Sequence, residues 1–414
     1  MEGAGADPSV VAAVADAHRG EWAFVLAATV RVTADLDLAE ECAQHAYAQA
    51  LTNWGAAGIP DRPGAWLTTV ARRQAIDLLR REATFQRALP LLIEPEPVPT
   101  DEGSPVVDDR LRLIFTCCHP ALSVDAQVAL TLRLLCGLST SEVARSFLVS
   151  EPTMAARITR AKKKIASAHI PYRTPTAREL PERTASVLHV VHLVFTTGHT
   201  APAGAELVRH DLVRRALDLA RMLRVLLPDD PEVIGLLALI ILTGARDPGR
   251  LAEDGRLVLL SDQDRTRWNR AAISEGVDLA RQALLGRPPS RFALMAAIAA
   301  VHDEAPTWDD TDWAQIVSLY DALVRIWPSP VVALNRAVAV GLAEGPAVGL
   351  SALDALSDEP QLAGYPYLAS SRADFLRRMG SVEEARVAYG EALALTDNLV
   401  ERDFLQGRLR ELDG

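Results

Sequence analysis

The stretch Leu138 to Ile165, LSTSEVARSFLVSEPTMAARITRAKKKI, predicts two short helices joined by a tight turn. Ser139 and Glu142 form an S-x-x-E capping box at the start of the first helix. Ser150 is the predicted cap of the second helix, and Pro152 stands in its first turn, where a missing N–H is tolerated. This arrangement is typical of a helix-turn-helix, whose second helix enters the major groove of DNA.

The second predicted helix is strongly cationic, with no acidic residue between Pro152 and Arg173. The three lysines of the chain all lie near the end of this helix. A basic helix end also complements the helix dipole, so the charge alone leaves open a capped helical hairpin with no DNA role. The candidate DNA-contacting residues of this segment are Ser150, Thr153, Arg157, Arg160, Lys162, Lys163 and Lys164.

Composition predicts an ordinary soluble protein of two or three domains, with 414 residues, 49% hydrophobic and 23% charged. No apolar run reaches the roughly 18 residues of a membrane helix, and the N-terminus lacks a basic secretory region. We therefore expect a cytoplasmic protein that has no membrane partner. The net charge is −11, yet segments 62–87 and 152–173 are locally basic. Two basic patches in an acidic background predict weak intrinsic affinity for DNA.

Metal and catalytic sites are not predicted. The run Cys117-Cys118-His119 and the histidines 189, 192, 199 and 210 could suggest a metal site, but the ligand spacing of known sites is missing. We interpret these residues as buried helical positions, and we expect no metal and no cofactor. The nearest carboxylate pairs, at 303–304 and 309–310, lack a nucleophile or phosphate loop, so no enzyme is predicted.

Helical periodicity dominates the chain and predicts an all-α fold. The first helices are expected at 9–31, 36–53 and 63–83, with a loop at 55–63, and Gly137 is expected to end a helix in the left-handed conformation. Near the C-terminus, Gly380 to Leu393 matches half of a tetratricopeptide repeat. The predicted domains are 1–87, an acidic proline-rich linker at 88–109, a helix-turn-helix domain at 110–173, and a helical array at 174–414.

Two stretches of the first domain carry a family resemblance. The stretch Asp35 to Gln44, DLDLAEECAQ, resembles the region 2 helix with which sigma factors bind the RNA polymerase clamp. The stretch Pro63 to Arg81 resembles the −10-recognition helix of the same family. With a region 4 helix-turn-helix after a linker and no room for region 3, the layout resembles the extracytoplasmic-function (ECF) sigma factors. The run 108–138 and the extension resemble the ECF subgroup with a C-terminal tetratricopeptide-like domain.

The resemblance implies a promoter-specificity subunit whose partners are promoter DNA and the clamp and flap surfaces of core RNA polymerase. Its linker would thread the channel through which RNA leaves polymerase, and its C-terminal domain would regulate activity and is a candidate docking site for a regulatory protein. The implied polymerase-binding residues are Asp37, Glu40, Glu41 and Gln44. The implied −10 contacts are Arg72, Arg73, Arg80, Arg81 and Trp66. The implied −35 contacts are the candidate residues of the helix-turn-helix, namely Ser150, Thr153, Arg157, Arg160, Lys162, Lys163 and Lys164.

Two departures from the family pattern and two alternatives remain open. His45 stands where an acidic residue is frequent, and segment 195–199, FTTGH, stands where the family has Phe-Asn-Glu-Gly-Tyr. Trp66 could pack in the core instead of contacting DNA, since aromatic residues of small domains usually pack. The alternative function is a stand-alone helix-turn-helix regulator with a helical effector domain, which would bind symmetric half-sites without polymerase. The leading hypothesis instead requires two flexibly joined basic helices that polymerase sets at a fixed distance.

Overall fold

A computed structural model describes residues 7–87, 109–147 and 149–412, and the chain divides into two compact units, Met1–Val190 and Val191–Gly414. Helices dominate the described residues, and the two strands found there have two residues each, so the predicted all-α fold is confirmed. The predicted linker 88–109 lies outside the described residues except for Asp109, which begins a helix.

The first unit contains seven complete helices among its described residues and the start of an eighth. They are α1 (Pro8–Thr33), α2 (Leu36–Ala57), α3 (Pro63–Arg87), α4 (Asp109–Cys117), α5 (Val124–Leu130), α6 (Thr140–Ser146), α7 (Glu151–Ser167) and α8 (Leu180–His199).

Helices α1, α2 and α3 pack side by side, and their bounds lie close to the predicted ones. Asp35 caps α2, because its carboxylate accepts bonds from the Asp37 and Leu38 amides. Small buried residues recur along α2 and allow its neighbours to approach closely. The loop predicted at 55–63 is shorter than expected, because α2 continues to Ala57 and ends at Gly58, whose φ is +84°.

The helix-turn-helix has the predicted local structure. Both bonds of the capping box between Ser139 and Glu142 are present, and the Ser150 hydroxyl accepts a bond from the Thr153 amide. Gly137 has φ +69°, as predicted for a left-handed helix stop. The helix before it differs from expectation, because α5 ends in a π-helical turn, Thr131–Leu135. Leu148, in the predicted turn, lies outside the described residues.

The region 2-like and region 4-like helices pack against each other within the first unit, although the sequence predicted two flexibly joined modules. The buried Trp22 indole donates a hydrogen bond to the Leu134 carbonyl at 3.0 Å. The Tyr172 hydroxyl donates to the Ala27 carbonyl at 2.8 Å. A Cβ at Gly137 would lie 3.0 Å from the Trp22 ring, so glycine permits this close approach. The Trp22 ring also lies 5.8 Å from the Tyr47 ring of α2, so this residue of α1 contacts both helical groups.

The second unit begins within α8 and continues as a succession of helical pairs. Its elements are α9 (His210–Leu226), α10 (Pro231–Ala245), α11 (Arg270–Leu284), α12 (Arg291–Glu304), α13 (Trp313–Ile326), α14 (Pro330–Glu344), α15 (Pro346–Asp354), α16 (Pro366–Arg378), α17 (Val382–Ala394) and α18 (Leu399–Glu411), with strands β1 (Ala203–Gly204) and β2 (Asp397–Asn398).

Glycines allow these helices to pack closely. A Cβ at Gly235 of α10 would lie 2.5 Å from the Ala293 nitrogen of α12, so a larger residue there would separate the two helices. In the predicted tetratricopeptide segment, Gly380 has φ +82° between α16 and α17. Tyr389 is buried there among alanines of both helices, as the small-residue pattern predicts.

The first loop and the last helix of the second unit are joined through β1 and β2, which pair in parallel. Asn398 is fully buried, and its Nδ2 donates to the Ala201 and Glu206 carbonyls, each at 2.9 Å. Its Oδ1 accepts bonds from the Val400 and Glu401 amides and so caps α18. One side chain therefore links residues almost two hundred positions apart in the sequence.

Replacing Asn398 by alanine is expected to lower the free energy of unfolding by roughly 2–4 kcal/mol, because the Ala201 and Glu206 carbonyls lose their donor and α18 loses its cap. Urea unfolding of the full chain measures this change. Asn269→Ala is the matched control, because Asn269 is exposed and caps α11 alone; it is expected to cost about 1 kcal/mol. Equal losses for the two variants would show that the link to Ala201 and Glu206 adds no stability.

Candidate nucleic-acid interface

The first candidate surface is the exposed side of α3. Arg72 and Arg73 are exposed, and Arg80 and Arg81 are exposed about two helical turns further on. Ile76, whose surface is 37% exposed, lies between the two arginine pairs in the sequence. The side therefore combines guanidinium groups with an apolar contact, which suits phosphates and unstacked bases.

Trp66, at the start of α3, is half-buried and contributes to packing. Its ring meets the buried Trp54 ring edge to face, with the ring centroids 5.6 Å apart. The predicted packing role is therefore present, and the exposed part of the Trp66 ring stays available to a partner.

The second candidate surface is α7, which presents most of its predicted DNA-contacting residues to solvent. Thr153, Arg160, Lys163 and Lys164 are exposed. Arg157 is partly covered, because its guanidinium lies 3.2 Å from the Asp125 carboxylate and 5.2 Å from the centre of the Phe147 ring. These two contacts hold the Arg157 side chain against Asp125 of α5 and against Phe147 at the end of α6. Ser150 is engaged as the helix cap, and its hydroxyl lies 2.8 Å from that of Thr153.

Lys162 does not point to solvent. Its ammonium donates to the Asp37 carboxylate at 2.7 Å and to the Glu40 carboxylate at 2.8 Å, and its side chain is only 10% exposed. Arg133 forms a further ion pair with Glu40, whose side chain is 7% exposed. We call Asp37, Glu40, Arg133 and Lys162 the α2–α7 cluster. Burial opposes the charge of Lys162, but Glu40 and Asp37 outweigh it, so the pKa of Lys162 is raised.

The four predicted polymerase-binding residues are all on α2, but they differ in exposure. Asp37, Glu41 and Gln44 are exposed, whereas Glu40 is buried in the α2–α7 cluster. His45 is exposed beside them. The structure thus joins two predicted polymerase contacts to one predicted DNA contact. Arg133 could not be predicted from the sequence, because its partner Glu40 is distant along the chain and no local pattern marks the contact.

Comparison with known proteins agrees with this geometry. The chain matches the family models for Sigma-70 region 2 over residues 23–85 and Sigma-70, region 4 over residues 112–165. It also matches a family of unknown function (DUF6596) over residues 183–284. An uncharacterized protein of Rhizobium meliloti (strain 1021) is 42% identical over 399 residues, which cover 94% of this chain and 93% of that protein.

A region 2 helical group, a region 4 helix-turn-helix and a helical extension define a bacterial sigma factor. The chain belongs to the ECF sigma factors that carry a C-terminal extension. Its function is therefore to act with core RNA polymerase and promoter DNA in transcription initiation, and nothing in the comparisons favours a stand-alone regulator. The matched sigma families are not enzymes. In the part of the chain that the structure describes, no helix is both long and apolar enough to span a membrane.

Proposed function

We propose that α3, α7 and α2 divide the work of this sigma factor as the family pattern implies. Arg72, Arg73, Arg80 and Arg81 would hold the melted −10 strand through phosphate contacts and stacking. Arg160 and Thr153 would reach base edges of the −35 element, while Lys163 and Lys164 would contact phosphates. The exposure of these side chains supports the assignment.

We further propose that the free protein is held closed by the α2–α7 cluster. The observation that carries this proposal is the pair of bonds from Lys162 to Asp37 and Glu40, because it occupies residues of both predicted binding surfaces at once. Removing one partner of a buried ion pair typically costs about 3–5 kcal/mol, because the other charge stays buried. Polymerase would open the cluster by offering basic groups to the α2 carboxylates, and Lys162 would then be released toward DNA phosphates.

We propose that the C-terminal unit regulates the activity of this sigma factor. A helical array of this kind presents large surfaces between its helices, and a regulatory protein docking there would change the balance between closed and open forms. The protein would act in the cytoplasm, where core polymerase is present. Strong DNA binding would require polymerase, because Lys162 is not free in the closed form.

Replacing Arg133 by glutamine is expected to tighten binding to core polymerase about three- to tenfold, since the closed form loses a buried ion pair and the competent fraction rises. Arg133 is the suitable position because it belongs to the α2–α7 cluster and to neither predicted binding surface. The measurement is the affinity of labelled full-length protein for core polymerase without DNA. Lys162→Gln is expected to act in the same direction.

The matched control is Arg145→Gln, which removes an exposed arginine of α6 and leaves the α2–α7 cluster intact. Circular dichroism checks that each variant keeps its helices, because Arg133 also donates to the Leu138 carbonyl at 2.8 Å. If folded Arg133→Gln and Lys162→Gln both bind core polymerase no more tightly than the unaltered protein, the closed form has no role in access.

A further inference from the structure

The second unit contains a cavity of about 990 Å³ that the functions described so far do not use. It is lined by the last turn of α8, the end of α10, parts of α14 and α16, and the junction of α17 with α18. Ligand pockets usually have volumes of about 300–1,000 Å³. The cavity is therefore large enough for a small organic molecule.

Two arginines stand inside the cavity. The side chains of Arg246 and Arg250 are only 13% and 12% exposed, and both line the cavity wall. The Arg250 guanidinium donates to the Thr200 hydroxyl at 3.1 Å and to the His199 carbonyl. The Arg246 guanidinium donates to the Asp303 carboxylate at 2.5 Å. The two cations are thus fixed in place and largely removed from water, and this strengthens their attraction for an anion.

Each of these arginines lies beside a carboxylate that burial disfavours as an ion. Asp303 is fully buried, and burial raises its pKa to about 6. Burial also raises the pKa of Asp247, which lies 3.8 Å from Arg250. Burial, together with Arg250 and Arg246, lowers the pKa of His199 to about 3, so this ring is neutral near pH 7. Neither Asp303 nor Asp247 lines the cavity, whereas both arginines do, so the cations and not their carboxylate partners form part of the cavity wall.

The rest of the lining is mainly aliphatic, with hydroxyl groups between the apolar side chains. Leu207, Leu334 and Val338 are among the apolar residues. Two acidic residues also line the cavity, but Asp397 is exposed, and Glu401 accepts a hydrogen bond from the Tyr367 hydroxyl at 2.6 Å. Arg246 and Arg250 are the cations of the lining, and the apolar wall gives room for an uncharged body.

We propose that this cavity binds a small organic acid, with its carboxylate or phosphate at Arg246 and Arg250 and its apolar body against the leucines. The inference does not depend on the proposed roles of α2, α3 and α7. Such a ligand would touch both ends of the array, because the cavity wall includes Ala201 and Thr396, which flank the β1–β2 pair. Binding would stiffen the link that Asn398 makes between the first loop and α18.

The test uses the full chain and the fluorescent anion 8-anilinonaphthalene-1-sulfonate, whose emission rises in apolar surroundings. We expect saturable binding of one molecule per chain. Ser371→Trp, which fills the cavity from α16, is expected to weaken this binding at least tenfold. The matched control Ser351→Trp, at an exposed position of α15, is expected to leave it unchanged. Leu395→Trp, at a lining residue that is 36% exposed, is a second variant in case the first does not fold.

Competition identifies the recognised group. Displacement of the probe by benzoate would indicate a carboxylate, and displacement by phenyl phosphate would indicate a phosphate; either result supports the proposal. Equal displacement by uncharged benzyl alcohol would overturn it, because the arginines would then play no part. Unchanged probe binding in folded Ser371→Trp and Leu395→Trp would also overturn it. The assay contains neither polymerase nor DNA, so its failure is distinct from failure of the proposed sigma function.

Discussion

Replacing Arg72 and Arg73 together by alanine is expected to lower promoter-specific transcription by about 10- to 100-fold, a loss of roughly 1.4–2.8 kcal/mol. Both side chains are exposed on α3, so their removal takes away contacts to the melted −10 strand and leaves the fold intact. The measurement is the yield of run-off transcript from a mapped promoter at a fixed concentration of core polymerase.

A matched pair of adjacent arginines supplies the control for this result. Arg214→Ala with Arg215→Ala makes the same change on α9 of the second unit and is expected to leave transcription unchanged. A −10 role also predicts that the α3 double variant keeps its affinity for core polymerase. Equal transcription from the two double variants would contradict the assignment of α3 to the −10 element.

Reversing the charge of Glu41 is expected to weaken binding to core polymerase by about 10- to 100-fold, because an attractive contact at the clamp becomes repulsive. Glu41 is suited to this test because it is exposed on α2 and lies outside the α2–α7 cluster. Glu41→Lys should therefore change polymerase binding without opening the closed form. Affinity for core polymerase without DNA is the direct measurement, and transcription should fall in parallel.

Asp218→Lys is the control for the charge reversal, since it alters net charge equally at an exposed position of α9. It is expected to leave polymerase affinity unchanged. A small effect of Glu41→Lys, equal to that of Asp218→Lys, would exclude this side of α2 as the clamp contact. A large effect of both variants would instead indicate a general electrostatic attraction between the proteins.

Local features of the fold could be predicted because they depend on neighbouring residues. The capping box of Ser139 and Glu142, the cap at Ser150 and the helix stop at Gly137 each follow from side-chain or backbone chemistry within a few positions. The exposure of Arg72 and Arg160 could also be expected, because charged residues of amphipathic helices face solvent.

Contacts between distant residues could not be predicted in the same way. Lys162 and Asp37 are 125 positions apart, and either one alone reads as an exposed charge on a helix. The seam of Trp22 against Leu134 and the link from Asn398 to Ala201 are equally long-range. The expectation of flexibly joined helices failed for this reason, since it used the charge of each helix and not the apolar face between them.

Segment 195–199 lines the cavity of the second unit, which the sequence did not predict. Segment 195–199 departs from the family pattern, and Thr196, Thr197 and His199 line the cavity of the second unit. Gly198 permits close packing here, because a Cβ at this position would lie 2.8 Å from the Val213 nitrogen of α9. The residues at which the segment departs from the pattern thus line the cavity.

The most direct test of the account is transcription in vitro with bacterial core polymerase, a library of promoter fragments, and either the full chain or its Arg133→Gln variant. The account predicts that each protein produces discrete transcripts from a shared subset of promoters, with more product from the variant. Core polymerase alone should produce none of these transcripts. If both proteins bind core polymerase and neither directs initiation at any promoter, the central claim is contradicted.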